Sequence, residues 1–379
     1  MNPRFRGVLC AAVIAFAAVS GADERFVSTR CLVAPVAVWA GQADQQLIAC
    51  GDQQPENTLW HLDRADSIDG KLDGRHSRSA TGSGVVVYVL DSGVRRDHVE
   101  FIRPTGSTII EGIEIGGWES FTDPRCPEPA IDPCPASEGL GVILSHGTAV
   151  ASILGGETTG IAPGVEIVSV RVALGEENWL RALRAVIDHA YAPTTPQIHT
   201  AIVNISGGLS HGEGVAFASL VETMTNGVNA RAEADPAGKR FLFVTAAGNV
   251  EADQCGAAGE VRISPAILGP RLDGVVTVGG LSRRNTFWAG SCSGSAVEVL
   301  APAEGLFAAS MAGSDQYRLA PSWVSSGTSY AAPYVAGIAA RILEQHPELY
   351  PAEIERLLKA SPSRVEGWAV PVVELRIEN

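Results

Sequence analysis

Five short runs of apolar, mostly β-branched residues recur along this chain, and they constrain its fold more than any other feature. They are "VVVYVL" (Val85 to Leu90), "VEIVSVRV" (165–172), "AIVNIS" (201–206), "FLFVTA" (241–246) and "VVTVGG" (275–280). Short, nearly unbroken apolar runs read as strands buried on both faces, which is the condition of a parallel sheet. Helical periodicity lies between and after them. In "NWLRALRAVIDHAY" the residues Leu180, Leu183, Ile187 and Ala190 share a face, and in "VAFASLVETMTNGV" so do Val215, Ala218, Val221 and Met224. In "SGTSYAAPYVAGIAARIL" the apolar positions are Val335, Ile338, Ala339, Ile342 and Leu343. Strands alternating with helices predict an α/β protein with a mostly parallel central sheet flanked by helices. Chemistry in such sheets gathers at the carboxyl ends of strands and at helix N-termini.

Three residues fall at such ends. Asp91 directly follows the first apolar run; His146, in "LSHGTAVASILGG", opens a helical stretch; Ser329, in "SGTSYAAP", stands at the door of an apolar helix. Taken singly, each has an ordinary explanation: an Asp beginning a turn with Gly93 at the bend, a histidine satisfied near a cap, a serine N-cap. Pro333 is expected in or near the first turn, where its missing N–H does little harm. Together the three supply a nucleophile, a base to take its proton, and a carboxylate to fix the base's tautomer. Asn249, in "VTAAGNV", adds a side-chain amide after a strand, where it can serve as an oxyanion donor beside the Ser329 N–H. Its ordinary reading is a turn residue in the left-handed conformation.

A rival nucleophile is present. "GLSHG" (Gly208 to Gly212) fits the G-x-S-x-G elbow of α/β-hydrolases and would make Ser210 an esterase nucleophile, with His346 and an acid such as Asp273 or Asp315. That reading leaves the Asp91, His146 and Asn249 stretches unexplained. A third reading is a secreted binding protein with silent chemistry.

The net charge of −14 argues against nucleic acid or an anionic membrane surface as partner. Arg4 and Arg6, the apolar stretch Val8 to Val19 and the small residues Ser20-Gly21-Ala22 read as a signal peptide over 1–22, too short for a membrane span. Residues 23–56 read as an N-terminal extension or short propeptide, and 57–379 as the main domain. With Cys10 in the signal segment, Cys31, Cys50, Cys126, Cys134, Cys255 and Cys292 remain, an even count that suggests disulfides in an exported chain. A secreted or periplasmic monomer is expected.

The motifs "YVLDSGV", "SHGTAVAS", "NISGG", "AAGN" and "SGTSYAAPYVAG", in this order, resemble those of the subtilisin-like serine proteases, from about Trp60 to about Leu358. "WHLDRADS" and "ISPA" (263–266) resemble the proteinase K branch. The resemblance implies a three-layer subtilisin-like fold and an endopeptidase working through an acyl-enzyme. Asp91, His146 and Ser329 would be the triad; Asn249 and the Ser329 N–H would form the oxyanion hole. Ser206, Gly207 and Gly208 would pair with an extended substrate. With Ala246, Ala247 and Gly248 they would leave an open S1 pocket for apolar or mixed P1 side chains of a protein or peptide substrate. It also implies a Cys255–Cys292 disulfide; Cys126–Cys134 and Cys31–Cys50 are pairings by proximity. No cofactor is expected for catalysis, and structural calcium, common in the family, has no assignable ligands. The chain departs from the family at Ala149, Ser152 and Tyr330, where histidine, glycine and methionine are usual.

Overall fold

The computed structural model describes residues 59–67, 70–77, 80–114, 146–172, 175–192, 199–210, 214–229, 238–310, 314–315, 317–318 and 326–374, together with three short strands at 26–28, 33–34 and 47–48. The signal-peptide reading, most of the extension, and Cys10, Cys31, Cys50, Cys126, Cys134 and His211 lie outside the described residues.

Seven strands form one sheet: β1 (Val86–Asp91), β2 (Ile110–Glu114), β3 (Glu166–Arg171), β4 (Thr200–Ile205), β5 (Arg240–Ala246), β6 (Val275–Leu281) and β7 (Val299–Pro302). Their order is β7-β6-β5-β4-β1-β3-β2, and every neighbouring pair is parallel. All five expected runs are strands of this sheet. The two that the runs did not announce, β2 and β7, are its edges. From β1 the chain lays β2 at the far edge and inserts β3 between the two, then crosses back to lay β4 to β7 outward on the other side. The reversal falls beside β1, where a doubly wound sheet opens a crevice at its carboxyl rim.

Among the described residues, six α-helices complete the layers: α1 (Trp60–Ala65), α2 (His146–Gly155), α3 (Glu176–Ala190), α4 (Val215–Thr223), α5 (Thr328–Gln345) and α6 (Pro351–Lys359). Alternation along β1 divides the core in two. Val87 and Val89 face a core shared with α2 and α5, whereas Val86, Tyr88 and Leu90 face one shared with α3 and α4. Burial on both sides explains why the strand reads as continuous apolar sequence.

The helical faces differ in detail from the periodic expectation. On α3 the buried residues are Trp179, Ala182, Leu183, Val186 and Ala190, with Leu180 and Ile187 flanking them. On α4 Val215 is 65% exposed, and Phe217 takes the inward place with Val221 and Met224. The larger correction concerns α5. It is buried on all sides from Thr328 to Arg341 because it lies between the sheet and α2. Its alanines and glycine permit that depth: a Cβ on Gly337 would stand 2.7 Å from Ile161 Cβ. Pro333 is the sixth helical residue and sits in the second turn, so it removes the N–H that would otherwise bond the Ser329 carbonyl.

Candidate active site

Asp91 is the last residue of β1, with its side chain 6% exposed. Gly93, at φ +98°, turns the chain sharply after it, as the turn reading requires. The carboxylate nevertheless does more than start a turn. Its two oxygens lie 2.9 Å from His146 Nδ1, and Oδ1 also accepts from the Ser92 backbone N–H at 2.7 Å. An ionised carboxylate only accepts, so Nδ1 carries the proton and Nε2 presents a lone pair.

His146 is the first residue of α2, and the next residue lets the helix approach. A Cβ on Gly147 would fall 2.4 Å from the Gly93 carbonyl oxygen and 3.1 Å from Asp91 Oδ1. The Gly147 N–H is itself held by Ser92 Oγ at 3.0 Å. Sequence reasoning singled out neither Ser92 nor Gly147, although both stand within the quoted motifs.

Ser329 is the second residue of α5, 7% exposed, and the cap position belongs to Gly327. Its N–H is therefore among the first four of a helix, which lack intrahelical partners. A Cβ on Gly327 would lie 2.9 Å from Ser329 Oγ and 3.7 Å from Asn249 Oδ1, so hydroxyl and amide flank one small space. Asn249 is in extended backbone, φ −125°, and the left-handed turn geometry belongs to Gly248 at φ +99°. The amide orientation is fixed because Oδ1 accepts from Thr328 N–H at 2.9 Å and from Thr328 Oγ1 at 3.1 Å. That leaves Nδ2 as the outward donor. Thr328 Oγ1 also accepts from Gly248 N–H at 3.1 Å, tying the ends of β5 and α5 together. Beside Ser329, the Tyr330 ring lies 5.7 Å from the His146 ring. Asp91 thus contacts His146 at the carboxyl rim, Asn249 and Ser329 flank one space at the start of α5, and the Tyr330 ring beside His146 brings the two pairs next to each other.

Ser206 is buried and its Oγ accepts from Asn204 Nδ2 at 2.9 Å, while Gly207 and Gly208 are half-buried beyond β4. Ala246, Ala247 and Gly248 are buried at the end of β5. The space between the segments is occupied. Ile263 Cδ1 would stand 3.0 Å from a Cβ on Gly208 and 3.3 Å from one on Gly248, and Ile263 belongs to a ribbon in which Ile263–Ser264 pairs with Leu209–Ser210.

The Ser210 constellation does not assemble. Ser210 lies past the carboxyl end of β4. His346 ends α5 near Glu348 and Leu349, whose carbonyls accept from the first residues of β5 and β4, Arg240 and Thr200. The serine and that histidine occupy opposite rims of a sheet about 20 Å deep. Asp273 and Asp315 are exposed. Cys255 and Cys292 are joined in a disulfide. Among the described residues, no group of three or more His, Cys, Asp or Glu side chains is placed to hold a metal, and no helix is long and apolar enough to cross a membrane.

Residues 82–369 match the model of the subtilase family. This chain is a member of the subtilase family. Among its relatives, it is 30% identical to an extracellular serine proteinase of Thermus sp. (strain Rt41A) over 86% of this chain and 67% of that one. It is 31% identical to alkaline serine exoprotease A of Vibrio alginolyticus over 84% of this chain and 50% of that one. The subtilase chain thus spans about half to two-thirds of the length of these relatives. In structure it is similar to a cold-adapted subtilisin-like serine proteinase, with a TM-score of 0.58 and 27% identity, covering 84% of this chain and 98% of the other.

Proposed function

We propose that this subtilase is an exported serine endopeptidase that cleaves protein or peptide substrates through Asp91, His146 and Ser329. The observation that carries the reading is the two-oxygen contact of Asp91 with His146 Nδ1 at 2.9 Å, at the rim where α5 presents Ser329. His146 Nε2 takes the Ser329 hydroxyl proton as Oγ attacks the substrate carbonyl carbon. The resulting oxyanion is stabilised by Asn249 Nδ2 and the Ser329 N–H. Imidazolium, held by Asp91, returns the proton to the leaving amine, and the acyl-enzyme forms. Water, deprotonated by His146, then releases the acid product and regenerates Ser329. Gly207 and Gly208 offer backbone to an extended substrate. Ile263, set between Gly208 and Gly248, is apolar, which supports an apolar P1 side chain.

Hydrolysis of casein and of chromogenic tetrapeptides by wild type and Ser329→Ala tests this. Loss of activity in Ser329→Ala, with Ser210→Ala unaffected, is expected, as is fluorophosphonate labelling at Ser329. A folded wild type that neither labels nor hydrolyses would favour the silent binding protein instead.

A further inference from the structure

His146 and Ser329 belong to different helices, so proton transfer between them depends on what fixes α2 relative to the start of α5. One link is direct packing of the two helices, with Gly337 of α5 against Ile161 and the Leu154 carbonyl. A second link is polar and begins at Ser152. This residue is fully buried on α2; its hydroxyl donates to the Ala149 carbonyl at 2.9 Å and accepts the Ala309 N–H at 2.9 Å.

Ala309 lies on a strap that also holds the nucleophile turn. At the strap's other end, Ala303 O accepts the Gly327 N–H at 2.8 Å, and the Gly305 N–H donates to Ser326 Oγ at 2.9 Å. The Ala303 N–H is bonded to Leu281 O at the end of β6, which anchors the strap to the sheet. Residues 303–309 therefore run from the turn before Ser329 to the helix that carries His146.

The strap continues into a hairpin, Ala308–Ala309 with Tyr317–Arg318, and the hairpin is tied to the far end of α2 as well. Tyr317 Oη donates to buried Glu100 at 2.6 Å, and the same carboxylate accepts the N–H groups of Thr158 at 2.9 Å and Thr159 at 3.0 Å. Thr159 Oγ1 closes the network on the Ser152 carbonyl at 2.9 Å. A buried, fully paired polar network holds one geometry against alternatives, because breaking any member strands a polar group.

We propose that Ser152 is a positioning residue: its hydroxyl couples the histidine helix to the strap that anchors Ser326 and Gly327, and so fixes His146 with respect to Ser329. The inference rests on the proposed protease function. It gives a purpose to a serine where the family usually has glycine.

The test uses Ser152→Ala and Tyr317→Phe, with Ile354→Val in the distant α6 as a control matched for lost thermal stability. Ser152→Ala should lower kcat by about tenfold, the equivalent of one buried hydrogen bond. KM should stay within about twofold, fluorophosphonate labelling of Ser329 should slow by the same factor as kcat, and Ile354→Val should retain wild-type kcat. Tyr317→Phe should shift kcat in the same direction. A Ser152→Ala protein with lowered Tm but wild-type kcat and labelling rate overturns the proposal, as does wild-type kcat in Tyr317→Phe should Ser152→Ala not fold. Hydrolysis undiminished in Ser329→Ala would instead sink the protease reading beneath it.

Discussion

Replacing Gly147 with alanine separates two forces of opposite sign. Gly147 is helical, and alanine is the better helix former by up to ~1 kcal/mol. On propensity alone the variant would be more stable. Against this stands the Gly93 carbonyl oxygen, 2.4 Å from the position of the added methyl, and Asp91 Oδ1 at 3.1 Å. The obstacle is backbone, on a turn already set by Gly93, so the helix start must retreat by roughly 0.6–1 Å to reach a tolerable contact. His146 immediately precedes this residue. A retreat of that size stretches its 2.9 Å contacts with Asp91 to about 3.5 Å or beyond, outside hydrogen-bond reach. The charge-assisted bond is worth about 1.5–3 kcal/mol, and a 1 Å displacement of a catalytic group costs about 10²-fold. Gly147→Ala is therefore expected to reduce kcat/KM on a chromogenic peptide about 10²-fold, with a small fall in Tm. Activity within about threefold of wild type together with a raised Tm would show that propensity wins and that Gly147 does not set the Asp91–His146 distance.

Asn249→Asp keeps the acceptor that pins Thr328 but removes the amide donor, so kcat should fall at least about 10²-fold while KM changes little; stopped-flow or steady-state assays at saturating peptide check this. Ile263→Gly should raise the kcat/KM ratio for phenylalanine over alanine at P1 by about tenfold or more, because it empties the space between Gly208 and Gly248; an unchanged ratio would place P1 elsewhere. Burial, aided by the Glu298 charge, pushes the Glu355 carboxyl up to about 7. A carboxyl raised in the folded state binds its proton more tightly there than when unfolded. Its favourable contribution is thus present below pH ~4.5 and is lost as pH rises through about 7. Glu355→Gln should consequently gain Tm relative to wild type between pH 5 and pH 8, and a pH-independent difference would refute the assignment.

The sheet's interior was legible because strands buried on both faces carry apolar residues on both, as in β1, β4 and β5, where polar residues such as Asn204 and Thr245 are few. Its edges were not. In β2 the run is broken by Glu111, Gly112 and Glu114, as suits a strand at the sheet's edge, and β7 has only four residues ending in Pro302, its outer side held by a single bridge from Leu300 to Val372. Asp91, His146, Asn249 and Ser329 could be picked out because each stands at an element's end within a short, distinctive stretch. What links them was hidden by distance along the chain. Ser152 and Ala309 are 157 residues apart, and Thr328 meets Asn249 across 79. Periodicity also misjudged α5, since a helix wrapped by sheet and helix has no solvent face to reveal, and small residues mark such burial more faintly than large ones.

The order of elements has a consequence for biosynthesis. All seven strands precede α5, yet α5 fills the middle of one core. A ribosome delivers Asp91 and His146 first and Ser329 only after every strand of the sheet has been made. Until residues 328–345 thread into their slot, the three residues of the proposed triad stay apart, so the hazard that the proposed activity would pose to the growing polypeptide is deferred by topology to a late burial event.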